Sequence, residues 1–205
     1  LIVNIGARFD DRITGDTKRF ATNAKKIHID IDPAEIHKNI KVEAPVTGDV
    51  RHVLGQLNPL VANTTHPVWI QHIEQLKADH PSLRIRETDE LLGQHVVKAI
   101  SDATKGDALV VSGVGQHQMW AAQHYQFKNA NSWFSSGGAG TMGYEVPAAM
   151  GAQIAHPEKE VWTFAGDGGI QMTLSEFATI AENNLPVKIA ILNNDMLGMI
   201  TQWQD

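Results

Sequence analysis

Residues 161–194, VWTFAGDGGIQMTLSEFATIAENNLPVKIAILNN, constrain the fold of this chain more than any other stretch. An apolar run ends in Gly166-Asp167-Gly168-Gly169. A helical pattern follows, with Leu174, Phe177, Ala178, Ala181 and Leu185 on one face, and a second apolar run ends in Asn193-Asn194. Strand, glycine turn, helix and strand in that order make a crossover unit whose two strands run parallel. Open parallel sheets bind ligands outside the carboxyl ends of their strands. Asp167 and Asn194 are therefore expected side by side, a carboxylate and an amide oxygen facing one space. Hard oxygen donors suit Mg²⁺, which takes few protein ligands and fills its shell with water and phosphate oxygens. Glycines around Asp167 let a phosphate approach the backbone. The residues alone thus describe a magnesium–diphosphate site; the plainer alternative is a helix cap at Asp167 and a turn at the asparagines.

Upstream, the same alternation recurs. Residues 87–205 read as a helix from about Thr88 to Ala103 carrying Leu91, Leu92, Val96 and Ile100, then a strand from Ala108 to Ser112. Gly113 to Trp120 enters a helix, Trp133-Phe134 forms a short strand, and a helix from Glu145 to Ala155 presents small residues to a sheet. Thr173 and Glu176 have capping-box spacing. Residues 1–58 show a buried strand at 1–5, a strand ending in Asp30-Ile31-Asp32, a short helix from Pro33, an extended piece at 45–47 and a helix opened by Gly48-Asp49. Between them, 59–86 is a proline-bearing linker with one amphipathic helix, Val68 to Ala78, whose Trp69, Ile73 and Leu76 are expected to face inward. The fold class is α/β, parallel sheets flanked by helices.

Composition removes several function classes. A net charge of −6 without a basic cluster argues against general nucleic-acid binding. No apolar run approaches the ~18 residues of a membrane span. There is no cysteine, so disulfides and thiolate metal sites are excluded. His66, His72 and His80 share no helical face and read as solvated. The chain opens on LIVNI without an initiator methionine and stops within a helical pattern, LGMITQWQD, as an interior piece of a longer protein would.

Two readings compete for the glycines. Gly138 to Gly143 satisfies G-x-G-x-x-G after a strand and before a helix, the dinucleotide fingerprint, and Asp167 lies 24 residues beyond Gly143. That NAD(P) reading leaves Asn193-Asn194 unexplained and wraps its acid in glycine. The other reading is a family resemblance. GDG followed by NN, with 26 residues between Asp167 and Asn194, resembles the motif of thiamine diphosphate (ThDP) enzymes. GVGQHQMWAAQ, SSGGAGTMGYEVPAA, LGMITQWQD, GARFDDRITG and HIDIDPAEI are similar to the acetohydroxyacid (acetolactate) synthase catalytic subunits across nearly the whole chain.

The resemblance implies the end of a central FAD-binding domain (1–58), the linker (59–86) and most of a ThDP domain (87–205). It implies Mg²⁺ on Asp167, Asn194 and the backbone carbonyl of Met196. ThDP contacts would come from Gln116, His117, Gly140, Thr141, Met142, Gly166, Asp167, Gly168, Gly169, Asn194, Leu197, Gly198 and Met199, with Trp203 in the substrate channel. FAD, in a structural role, would touch Gly6, Ala7, Arg8, Phe9, Asp10, Asp30, Ile31, Asp49 and Val50. The implied reaction decarboxylates pyruvate and joins the remaining unit to pyruvate or 2-ketobutyrate, toward branched-chain amino acids. A related ThDP carboligase, decarboxylase or oxidase is the alternative. Implied partners are 2-keto acids, a second copy in a homodimer or homotetramer with the site at the interface, and a regulatory small subunit, with neither nucleic acid nor membrane. The compartment would be bacterial cytoplasm, or plastid or mitochondrion in a eukaryote. The glutamate that activates the cofactor ring has no candidate here, so this chain alone is expected to form no acetolactate.

Overall fold

A computed structural model describes residues 1–81 and 83–204. The chain divides into two compact units, Leu1–Glu74 and Gln75–Asp205.

The first unit is built on β1 (Ile2–Ile5), α1 (Asp11–Thr14), β2 (Lys26–Asp30), β3 (Ala44–Thr47) and α2 (Val50–Leu57). Its strands form a parallel sheet in the order β1-β2-β3. All three therefore end at the same edge, which gathers Gly6, Asp30-Ile31 and Gly48-Asp49 as the strand pattern requires. β1 is only half buried, with Val3 47% and Ile5 42% exposed, because it pairs with β2 alone and covers one face. The short helix expected from Pro33 does not form; residues 33–37 make turns closed by bonds such as Glu35 N–H to the Asp32 carbonyl. His37 at φ +62 breaks the helical path. Phe9, Ile40 and Val42 form this unit's buried cluster.

α3 (Pro67–Asp79) contains the division between the units. It is helical as its periodicity predicts, but none of its residues is buried, and Trp69 (61%) and Leu76 (44%) stand exposed. The inward face expected for Trp69 and Leu76 is thus absent; Trp69 instead leans on His72, with ring centroids 5.6 Å apart. His66, His72 and His80 are exposed.

The second unit continues with α4 (Gly93–Thr104), β4 (Leu109–Ser112), α5 (Gln116–His124), β5 (Trp133–Ser135), α6 (Glu145–Ala155), β6 (Val161–Gly166), α7 (Asp167–Gln171), α8 (Glu176–Glu182), β7 (Lys188–Leu192) and α9 (Gly198–Gln204). Its parallel sheet has the order β5-β4-β6-β7. Val110 and Phe164 pack toward Val97, Ile100, Ala121 and Tyr125 of α4, α5 and the residue after α5. Leu109, Val111, Val161 and Ala165 pack toward α6, through Val146, Ala149 and Met150. Because both faces are covered, β4 is buried along its whole length, as in other sheets flanked on both sides.

Two helix boundaries differ from the sequence pattern. α4 starts at Gly93, not Thr88, because Leu92 is extended (φ −89°, ψ 150°) and its N–H donates to His95 Nδ1 at 3.3 Å. Leu91 consequently lies outside the helix, 82% exposed. The expected glycine turn is itself helical, since Asp167, Gly168 and Gly169 open α7 directly after β6; α8 follows separately from Glu176, and the capping box at Thr173 and Glu176 does not form. The Thr173 hydroxyl donates to the Gly143 carbonyl instead, at 3.1 Å, tying the turn after α7 to the glycine loop.

Candidate metal and diphosphate site

The second sheet turns at its centre. From β4 the chain crosses to β5 on one side, then returns past β4 to β6 on the other, so the carboxyl ends of β4 and β6 diverge. That is where a crevice opens in doubly wound sheets. A cavity of about 230 Å³ lies there, lined by the loop after β4, the GDGG turn after β6, the segment after β7, and the start of α9.

Most residues expected at the cofactor line it. Gln116 and His117 come from the start of α5, and Gly140 and Met142 from the glycine loop. Gly166 to Gly169 come from the turn, and Asn194, Met196, Leu197, Gly198 and Met199 from the segment after β7. Asp167 and Asn194 follow strands that pair directly, Gly166 opposite Leu192, so they are neighbours at the sheet edge. Thr141 is exposed and does not line the cavity; its N–H bonds Ser136 Oγ at 3.0 Å. Trp203 is 70% exposed on α9 and also lies off the lining. Val114, Gly115, Trp120, Leu192 and Ile200 line it although sequence patterns did not single them out. Gly115 opens the helix that carries Gln116 and His117 and could have been read as part of the site; the apolar four look like ordinary core.

The two asparagines have different tasks. Asn193 closes a turn on Asp195, accepting its N–H at 3.1 Å. Asn194 instead donates from Nδ2 to Gln116 Oε1 at 3.1 Å. That bond fixes the amide so that Oδ1 is the atom left for a cation, with only a long contact (3.4 Å) from Met196 N–H. Gln116 donates in turn to Gln202 Oε1 on α9 at 3.2 Å. Gly198 makes the arrangement possible, since a Cβ there would overlap Gln116 Oε1 and lie 2.6 Å from Asn194 Nδ2.

His117 is buried, and its Nε2 has no hydrogen-bond partner. Glycines make room for its ring: a Cβ on Gly115 or Gly166 would lie 2.8 Å from Cε1. Burial lowers its pKa to about 4, an effect the nearby Asp167 carboxylate only partly offsets. The imidazole is therefore neutral at physiological pH and brings hydrogen bonding, not charge. The wall opposite is apolar: Leu197 Cδ2 and Met142 Cε would stand 2.9 and 3.6 Å from a Cβ on Gly168. An oxygen pair at neighbouring strand ends, a glycine-rich helix start lining the cavity and a buried imidazole whose Nε2 has no partner fit a divalent cation with a diphosphate. Among the described residues no cluster of three or more His, Cys, Asp or Glu side chains occurs.

In the first unit, the strand-end polar groups mostly satisfy one another. Arg8 pairs with Asp10 at 3.3 Å, and Asp30 Oδ1 accepts from Asp32 N–H at 2.9 Å. Asp49 caps α2, accepting from Arg51 N–H (2.9 Å) and His52 N–H (3.2 Å). Asp10 Oδ1 remains buried without a partner, and Ile31 (70%), next to Asp30, and Val50 (43%), next to Asp49, offer exposed apolar surface. Gly6 and Ala7 form the loop after β1; the Ala7 carbonyl contacts His28 Nε2 at 2.9 Å, and Phe9 stacks edge-on to that ring.

Comparison with known proteins bears on both units. Residues 113–205 match the family model of the thiamine pyrophosphate enzyme C-terminal TPP binding domain, and residues 1–57 match that of the thiamine pyrophosphate enzyme central domain. The whole chain is 48% identical to the acetolactate synthase large subunit of Corynebacterium glutamicum, of which it covers 34%. It is 47% identical to the acetolactate synthase large subunit of Haemophilus influenzae, covering 37% of it. It is 43% identical to a chloroplastic acetolactate synthase of Oryza sativa subsp. japonica, covering 33%. The chain thus spans about a third of the length of these curated relatives.

Proposed function

Because the chain belongs to the thiamine pyrophosphate enzymes, carrying their central domain and C-terminal TPP-binding domain, we propose that it is the corresponding part of an acetolactate synthase large subunit. The observation that carries the reading is the cavity where Asp167 and Asn194 meet the GDGG turn at adjacent strand ends. Identity of 43–48% along the whole chain to acetolactate synthases supports this choice over a related carboligase, decarboxylase or oxidase. The dinucleotide alternative loses ground because it gives Asn194 no part, whereas Asn194 is held at the cavity by its bond to Gln116.

Asp167 and Asn194 Oδ1 would hold Mg²⁺, joined by the Met196 carbonyl. The backbone of Gly168 and Gly169, with Gln116 and His117, would bind the diphosphate, where a neutral His117 offers a hydrogen bond without competing with the metal for charge. Gly140 would offer backbone to the aminopyrimidine, and Thr141 would flank it. Met142, Leu197 and Met199 would wall the reacting end and keep water away from it. Bound ThDP supplies the carbanion chemistry by which pyruvate loses carbon dioxide and its two-carbon unit passes to a second 2-keto acid. Trp203 would line the substrate approach. In residues 1–58, the common strand edge with Gly6, Ala7, Arg8, Phe9, Asp10, Asp30, Ile31, Asp49 and Val50 would take FAD, which has no net redox role in this reaction. Residues 59–86 would be the linker and 87–205 the ThDP domain. The large-subunit reading carries with it a regulatory small subunit and a second catalytic copy that completes the site.

The test is acetolactate formation from pyruvate by the full-length protein, with ThDP, Mg²⁺ and FAD omitted in turn. Activity that survives ThDP removal overturns the proposal. The 205-residue chain by itself is expected to bind the cofactor without forming acetolactate, since the ring-activating glutamate is not among its site residues.

A further inference from the structure

Glu145 opens α6 and is 0% exposed, yet neither of its carboxyl oxygens has a hydrogen-bond partner. The N–H groups of Gly143 and of Glu145 itself lie near the carboxyl without making a bond of good geometry. Burial is the largest influence on its pKa and raises it. Leaving a buried polar group unpaired is costly, so its position calls for a physical reason. Glycines define that position. A Cβ on Gly113, just beyond β4, would lie 2.6 Å from Glu145 Cδ and Oε2, and one on Gly169, in the GDGG turn, would lie 2.6 Å from Oε1. The carboxyl therefore occupies the space that side chains at 113 and 169 would otherwise fill, directly between the two diverging strand ends that frame the cavity. From α6, Val146 and Met150 pack on Ala165 and Ile170 of the same strand and turn, so the support is anchored from below.

We propose that Glu145 is a positioning residue for the metal–diphosphate turn, bracing the end of β4 against Gly169 and thereby fixing where Asp167 and the Gly168 and Gly169 backbone stand in the cavity. The proposal rests on reading that cavity as the Mg²⁺–ThDP site. It also explains the last glycine of GDGG: while residue 145 is glutamate, residue 169 has no room for a side chain. A brace that works by shape should tolerate an amide of the same outline and fail on truncation.

The experiment titrates ThDP into the full-length protein at fixed Mg²⁺, then Mg²⁺ at fixed ThDP, following tryptophan fluorescence. Glu145→Gln is expected to retain affinity within about threefold, whereas Glu145→Ala weakens it by about tenfold or more and raises the Mg²⁺ half-saturation. A residue that served folding alone would move the melting temperature and leave the Mg²⁺ requirement of the folded protein unchanged. Gly169→Ala should lose affinity with Glu145 present and regain most of it in the Glu145→Ala/Gly169→Ala double variant. Wild-type affinity and Mg²⁺ requirement in Glu145→Ala, equal losses in Glu145→Gln and Glu145→Ala, or undisturbed binding in Gly169→Ala would each overturn the proposal. If Glu145→Ala does not fold, Glu145→Gln and Gly169→Ala decide it. Absence of Mg²⁺-dependent ThDP binding in the wild type would instead refute the parent reading of the cavity.

Discussion

Replacing Gly198 by alanine perturbs the proposed metal ligand without substituting it. Gly198 is buried at the first position of α9, and its Cβ would overlap Gln116 Oε1 while lying 2.6 Å from Asn194 Nδ2. The Gln116–Asn194 hydrogen bond, 3.1 Å long, cannot persist beside that methyl group. Losing such a bond costs about 0.5–1.5 kcal/mol, and forcing a methyl into a packed site costs about 1–3 kcal/mol. In the cofactor-free protein the amides can swing aside and relieve the clash. Binding requires Asn194 Oδ1 back in place, so most of the cost should appear as lost affinity. A sum of about 2–4 kcal/mol corresponds to Mg²⁺-dependent ThDP binding weaker by roughly 30- to 1000-fold. Trp120 lines the cavity, so quenching of its fluorescence reports occupancy. Gly151→Ala is the matched control: it sits inside α6, a Cβ there meets nothing within 4 Å, and it should add up to about 1 kcal/mol of stability without affecting binding. If Gly198→Ala binds ThDP within threefold of the wild type, the orienting role given to Gln116 is wrong.

Other consequences are as direct. His117, with its pKa lowered by burial from 6.5 to about 4, binds protons more readily in the unfolded chain than in the folded one. Its contribution is complete above pH 6.5 and is lost as pH falls toward 4, about 3 kcal/mol in all; melting curves across that range should flatten in His117→Gln. Glu145 acts with the opposite sign. Its raised pKa gives stability that is full below its ordinary value of 4.5 and lost as pH rises through the folded value, so Glu145→Gln should be relatively more stable at alkaline pH. Asp49→Ala removes both acceptor contacts at the start of α2 and should destabilise the first unit by about 1 kcal/mol. If Asp49 also meets FAD, the same change accelerates flavin release, readable as recovered flavin fluorescence.

The sequence carried the site further than it carried the surfaces. Asp167 and Asn194 could be placed together because a crossover unit leaves two parallel strands little freedom, and β6 and β7 do pair in register. Gln116 could be placed at the ligand edge, but not its bond to a residue 78 positions away, because no local pattern encodes that distance. Trp120 and Ile200 were hidden for a different reason: an apolar residue on a helix looks the same whether it faces core or cavity. Glu145 looked like an unremarkable first residue of a helix, and only three-dimensional proximity to Gly113 and Gly169 reveals what it fills. The expected helix after Pro33 that does not form, the late start of α4 and the absent capping box share one cause. Local propensity was outweighed by tertiary or turn bonds, such as Thr173 to Gly143. The exposed faces of β1 and α3 show that periodicity indicates an apolar face without saying what covers it.

The central claim is that Asp167 and Asn194 hold the metal through which the diphosphate is bound. Calorimetric titration of ThDP into the full-length protein, with Mg²⁺ and with chelator, tests it most directly when wild type and Asp167→Ala are compared. Binding should require Mg²⁺ in the wild type and vanish in Asp167→Ala, with the fold retained by circular dichroism. Equal affinity with and without Mg²⁺, or undiminished Mg²⁺-dependent binding in Asp167→Ala, would contradict it.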